Sequence, residues 1–298
     1  MSAPDLAKLL FLSALWGASF IFLRVVSPQF GPLMTALLRT ALAGMALIAY
    51  ASASGVAMNW RRNLKPYAIV GLFAGAVPFS FFSFAALHLP AAHSAVLNST
   101  APLFGALFST LWLAERLTIG KLAGLALGVV GVATLVGAGA ITMNSATLLS
   151  IAAALMAAAS CALASIIVIK TGGSGGIPPI AMATGSLAVG GLMLMPLLPF
   201  AIPPALPSLT AFASLAALAL LSSAMAQALF IPLIVKIGAT RAMTVTFLIP
   251  LFSMLWGFLF LGEAVVASTL VGALIVLAAM VMVLLGSRTK PAQVAGSR

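Results

Sequence analysis

The sequence predicts an all-α integral membrane protein, with ten transmembrane helices as two inverted five-helix repeats and both termini in the cytoplasm (N-in and C-in). Three observations predict it: an apolar composition, ten apolar runs of membrane-spanning length, and a motif that recurs 148 residues along the chain. Apolar residues fill 63% of the 298 positions and charged ones 6%, with a mean hydropathy of +1.25. Soluble domains run near about 45–50% and 25%. The formal charge of +11 comes from fourteen Lys and Arg scattered in ones and twos between apolar runs. That is a membrane distribution, whereas nucleic acid needs a concentrated basic patch. Cys161 is the single cysteine, which excludes a disulfide framework and a Cys-based metal site; a small core residue is its expected role. No small-residue cleavage site closes the first apolar run, so it reads as a span and not a removable signal.

A bilayer core of roughly 30 Å takes about 20 helical residues, because the backbone must satisfy its own hydrogen bonds there. Spans are expected at 5–26, 32–53, 65–88, 92–113, 119–139, 146–169, 178–200, 209–235, 240–261 and 267–286. The breaks carry turn chemistry: Ser27-Pro28 with Gly31-Pro32, Arg61-Arg62-Asn63, the Gly172–Gly176 run, and Pro203-Pro204. With the N-terminus inside, twelve of the fourteen basic residues fall in inside segments, and the opposite orientation inverts that bias. The other two, Arg24 and Arg39, lie within or at the end of helices.

A shift of 148 lays Pro102-Leu103-Phe104 on Pro250-Leu251-Phe252, Glu115 on Glu263 and Gly124 on Gly272. Five spans per half is an odd number, so the second half enters the membrane inverted. The expected divisions are 1–143, 144–286 and a cytoplasmic tail, 287–298. Inverted repeats of this kind build many secondary transporters, with the solute site at the midplane between halves; gene duplication without transport is the alternative.

With these residues in view, the chain resembles the drug/metabolite transporter superfamily, specifically its ten-helix EamA-type members. Trp16-Gly17-Ala18-Ser19-Phe20 is similar to the family's first-helix entry, with Arg24 where a basic residue is usual. Pro32 followed by Arg39 is similar to its second-helix Pro…Arg pattern. Both halves carry its Pro-Leu-Phe…Glu helix, ending at Glu115 and Glu263. The second-half copies of the first two motifs are eroded around residues 160–186. The resemblance implies a multi-pass transporter of a bacterial inner membrane, exporting amino acids or other metabolites, with an aromatic amino-acid exporter as a closer relative.

Polar side chains at bilayer depth normally face a bundle interior or a watery cavity. Asn98, Pro102, Gly105 and Ser109 share one helix face, as do their counterparts Thr246, Pro250, Ser253 and Gly257. Such a stripe either lines a solute path or lets helices pack closely. Ser223 and Gln227 lie one turn apart in the eighth span, Trp16 and Ser19 near the centre of the first, and Ser80 beside Phe79, Phe81 and Phe82 in the third. Arg39 lies about 12 Å in from Gly31 at 1.5 Å per residue, hence near the midplane. It bonds backbone carbonyls, reaches Glu263, or receives a substrate carboxylate. The candidate substrate-binding set is therefore Trp16, Ser19, Arg39, Ser80, Asn98, Ser223, Gln227 and Thr246. Glu115 and Glu263 are expected to close their helices at interfacial turns, and His88 and His93 to flank the Pro90 turn in an outer loop. No cofactor is expected, and the partners are the bilayer and a small solute. A membrane-embedded enzyme and a passive channel are the rival readings; the sequence has no ligand cluster, paired carboxylates or phosphate loop such as an enzyme needs, so no enzymatic activity is expected.

Overall fold

The computed structural model describes residues 2–112, 118–137, 142–170, 176–203, 205–237 and 245–286. Among them all regular structure is helical. The elements are α1 (Ala3–Phe30), α2 (Pro32–Ala53), α3 (Trp60–Ala85), α4 (Ala91–Asn98), α5 (Ala101–Trp112), α6 (Ile119–Gly137), α7 (Ser145–Lys170) and α8 (Pro179–Leu194). Leu209–Ala219 and Ala226–Ile237 run on through a π-helical turn as α9, followed by α10 (Val245–Leu261) and α11 (Ala267–Gly286). Six helices have the length and hydropathy to cross a membrane, three apolar helices are shorter, and α4 and α5 together occupy the expected fourth span.

The fourth span is a broken helix, not the continuous one expected at 92–113. Pro102 has no N–H to return to the carbonyl of Asn98, and the chain turns through Ser99-Thr100 before α5 begins. Its counterpart Pro250 lies inside an uninterrupted α10. His93 is a second correction. It belongs to α4, not to an outer loop, and is 4% exposed. His88 does sit in the turn, with Nδ1 3.0 Å from Ser150 Oγ. Glu115, Arg116 and Arg241 lie outside the described residues.

Exchange of the halves relates the packing. The most extensive pair is α6 with α11, counterparts of one another, and α2 pairs in the same way with α8. Helix α1 lies along α10 as α5 lies along α7, and α3 packs on α7 as α9 packs on α1. The relation reaches single residues. A Cβ on Gly124 would meet Val283, and one on Gly272 would meet Leu135, the residue 148 positions before Val283. The π-helical turn Leu72–Ala76 in α3 recurs at Leu220–Met225 in α9, again starting 148 residues on.

Lipid tails are as apolar as leucine, so hydrophobicity does not drive helices together here; close approach through small residues does. At Gly71 an added Cβ would collide with the Ser186 carbonyl oxygen and lie 2.9 Å from the Gly190 nitrogen. At Gly17 it would lie 2.7 Å from Phe252 Cβ and 3.0 Å from the Ser253 nitrogen. The Pro250, Ser253 and Gly257 stripe is accordingly buried, with Ser253 packed on α1.

Candidate functional site

The two halves meet around a cavity of about 630 Å³, within the range of small-molecule sites. Trp16 and Ser19 of α1, Arg39 of α2, Asn98 at the end of α4, Ser223 and Gln227 of α9, and Thr246 of α10 all line it. Ser80 is not among the lining residues; its hydroxyl bonds back to the Ala76 carbonyl at 2.8 Å. The first stripe, Asn98, Pro102, Gly105 and Ser109, lines the cavity throughout, but from the second only Thr246 does. Equivalent sequence positions thus serve solute space in one half and helix packing in the other.

Several facing positions are repeat counterparts: Arg39 and Leu187, Ala74 and Ser222, Phe79 and Gln227, Asn98 and Thr246, Ala101 and Ile249. The cavity therefore lies on the pseudo-twofold relation, and the two π-helical turns contribute Ala74 and Ser222 to its wall. Residue by residue it is asymmetric, because Arg39 is paired with Leu187, Ala74 with Ser222 and Phe79 with Gln227.

Arg39 is 6% exposed. Its Nε donates to Ser223 Oγ at 2.9 Å, and its guanidinium carbon sits 3.8 Å from the centre of the Phe79 ring. Ser223 donates in turn to the Leu218 carbonyl at 3.0 Å; the π-helical turn supplies that five-residue reach. One edge and one face of the guanidinium are thereby fixed. Among the described residues Nε makes its only hydrogen bond, and the Nη groups are not sealed from the cavity. Arg39 does not reach Glu263, one of the three expected alternatives, because Glu263 is engaged by Arg24. Ser19 donates to the Trp16 carbonyl at 2.6 Å and Ser222 to the Leu15 carbonyl at 2.8 Å. The amides of Asn98 and Gln227 make no hydrogen bond among the described residues and border the cavity.

The wall runs toward both ends of the bundle, from Leu23 of α1 to Ser109 of α5 and Val283 of α11. Ser109 and Val283 belong to the last turns of α5 and α11, and Ser165 lies one turn before the end of α7, on the side where Asp5 accepts from Lys236 Nζ at 2.6 Å. Toward the other face Phe20 and Phe82 meet edge to face at 5.7 Å. Above them Arg24 Nε bonds Glu263 Oε1 at 3.2 Å and Arg24 Nη1 bonds the Ala86 carbonyl at 2.9 Å. Glu263 Oε2 also accepts from the Ala91 nitrogen at 2.9 Å, so the carboxylate caps the N-terminus of α4, where an anion is favoured. Gly262, at φ +63, makes the turn that brings Glu263 there. This latch ties α1, the α3–α4 turn and the end of α10 together.

Cys161 and Ser165 also line the cavity, although a core role was expected for the cysteine and none assigned to the serine. Their spacing of four on one helix is the same signal that singled out Ser223 and Gln227.

The profile of the EamA-like transporter family matches residues 6–137 and again 146–285. The chain belongs to the EamA-like transporter family. It is 28% identical to Protein PecM of Dickeya dadantii, over 90% of this chain and 88% of that one. It is 26% identical to a probable terminal-alkyne amino-acid exporter of Streptantibioticus cattleyicolor (90% and 89%), and 28% identical to the uncharacterized inner membrane transporter YedA of Escherichia coli K12 (97% and 94%). A solved crystal structure with 19% identity superposes with a TM-score of 0.65 over 96% of this chain and 98% of its own, a likeness of fold. A multi-pass membrane transporter of small molecules is the class to which these features belong.

Proposed function

We propose that the protein carries small neutral metabolites, chiefly amino acids including aromatic ones, across a bacterial inner membrane by alternating access. The observation that supports this most directly is the cavity between the halves, lined by repeat counterparts, with the Phe20–Phe82 pair and the Glu263 latch packed toward one face. Two halves related by inversion can exchange roles, so the arrangement that latches one face is available in mirrored form at the other. Trp16, Phe20, Phe79 and Phe82 with a few hydrogen-bonding groups suit a solute with an apolar body and a small polar end. The amino-acid exporter among the relatives agrees with this substrate class. On this reading the substrate contacts come from Trp16, Ser19, Arg39, Asn98, Ser223, Gln227 and Thr246.

Counterflow of labelled phenylalanine into liposomes containing the purified protein tests the reading. Gln227→Ala and Asn98→Ala are expected to raise the half-saturation concentration about fivefold to tenfold, the loss of one neutral hydrogen bond of about 1 kcal/mol, with yield and thermal midpoint unchanged. Lowered yield with normal transport by the surviving protein would assign both side chains to packing instead.

A further inference from the structure

We infer that the cavity recognises its substrate by the carboxylate, held on Arg39, and that an α-ammonium group is dispensable, so apolar monocarboxylic acids without an amine are also ligands. The inference rests on the cavity being the transport site and narrows what that site accepts.

Charge is distributed unevenly in the wall. Arg39 is the one ionic side chain among the described lining residues. Of the three acids in the chain, Asp5 is engaged by Lys236 and Glu263 by Arg24; Glu115 lies outside the described residues. A guanidinium that is 6% exposed, with no carboxylate beside it among the described residues, is a costly arrangement for packing alone. It becomes favourable when a carboxylate enters, because the planar fork offers parallel N–H donors matched to two oxygens.

The geometry prepares it for that partner. Ser223 holds Nε and the Phe79 ring covers one face, so the Nη edge is oriented before a ligand arrives. The repeat counterpart of Arg39 is Leu187, which also lines the cavity, so the pseudo-symmetry supplies no second cation and one negative charge is the complement. An ammonium has no anion among the described residues of this wall. It would exchange water for the neutral carbonyl oxygens of Asn98 or Gln227, or for the Trp16 ring, which is close to an even trade. Carboxylate binding gains where ammonium binding does not.

Three ligands with one ring and different ends separate the contributions: L-phenylalanine, 3-phenylpropionate, which lacks the amine, and phenethylamine, which lacks the carboxylate. Binding to the full-length protein in detergent is read from the ligand-dependent rise of the thermal midpoint, and from competition against labelled phenylalanine in proteoliposomes. The expected result is 3-phenylpropionate within about threefold of phenylalanine and phenethylamine at least about 30-fold weaker, the scale of losing a charge-assisted bond. Arg39→Gln is expected to weaken both carboxylates by a similar factor, and Arg39→Lys by less. The comparison of ligands on the unaltered protein decides the matter even where a variant does not fold. Phenethylamine binding as tightly as phenylalanine, rejection of 3-phenylpropionate, or binding of neither carboxylate overturns the inference. Transport of phenylalanine with rejection of 3-phenylpropionate sinks this inference and leaves the amino-acid reading standing. Binding of 3-phenylpropionate without phenylalanine does the reverse.

Discussion

Replacing Glu263 with Ala is expected to loosen the face that its latch ties together. The carboxylate makes two connections there: Arg24 Nε at 3.2 Å and the Ala91 amide at 2.9 Å. At 3.2 Å the gross Coulomb attraction is about 5 kcal/mol for an effective dielectric near 20 and about 1 kcal/mol in water. The Arg24 side chain is 31% exposed and Glu263 16%, so solvent screening and lost side-chain freedom leave a net of about 1 kcal/mol. The bond to the amide at the start of α4 adds about another 1 kcal/mol. Together they hold that face by about 2 kcal/mol, a factor of about 30. Cys161, the chain's single cysteine, lines the cavity and serves as a native reporter. Its labelling by an impermeant thiol reagent added on the Glu263 side is expected to rise about 30-fold in Glu263→Ala. In Glu263→Gln, which keeps an acceptor for Ala91 and loses about 1 kcal/mol, the rise is expected to be nearer fivefold. Arg24→Ala should raise it less than Glu263→Ala, and the double variant should add little to Glu263→Ala. An unchanged labelling rate in all variants, or strictly additive effects of the two single changes, refutes the latch.

Gly71→Ala drives a methyl group into the backbone of α8 and should destabilise the protein by about 1–3 kcal/mol. Gly105→Ala, where nothing lies within 4 Å of an added Cβ, should leave the thermal midpoint unmoved, and equal effects at the two sites would contradict the packing account. In a Cys161→Ser background, cysteine at Met143 should react with an impermeant reagent outside intact cells and cysteine at Arg62 only after lysis; the opposite pattern reverses the assigned orientation. With no carboxylate among the described cavity residues, flux should follow the solute gradient. Uphill accumulation driven by an imposed pH gradient and abolished by a protonophore would contradict that, and His88 or His93 would then be the first groups to replace.

The sequence alone determined the membrane class, the number of spans and the doubled architecture. Each follows from a constraint the bilayer imposes along the chain: apolar length, the backbone's need to satisfy itself, and periodic motifs. Helix depth was legible as well, since 1.5 Å per residue converts position into height, and Arg39, Asn98, Gln227 and Thr246 were brought forward by depth and polarity alone. Facing was not. Depth does not say which side of a helix meets a neighbour, so Ser80 was grouped with the cavity although its hydroxyl bonds its own backbone. The same spacing groups Ser253 and Gly257 with Ser109, although Ser253 packs against Gly17 of α1 and Gly257 against Glu263. The partners of charged groups were equally hidden. That Glu263 would meet Arg24 and cap α4, leaving Arg39 without an acid among the described residues, depends on groups 239 and 172 residues apart in sequence. Only the packing of α1, α4 and α10 brings them within reach, because hydrogen bonds act over a few ångströms and sequence order says nothing about distance at that scale.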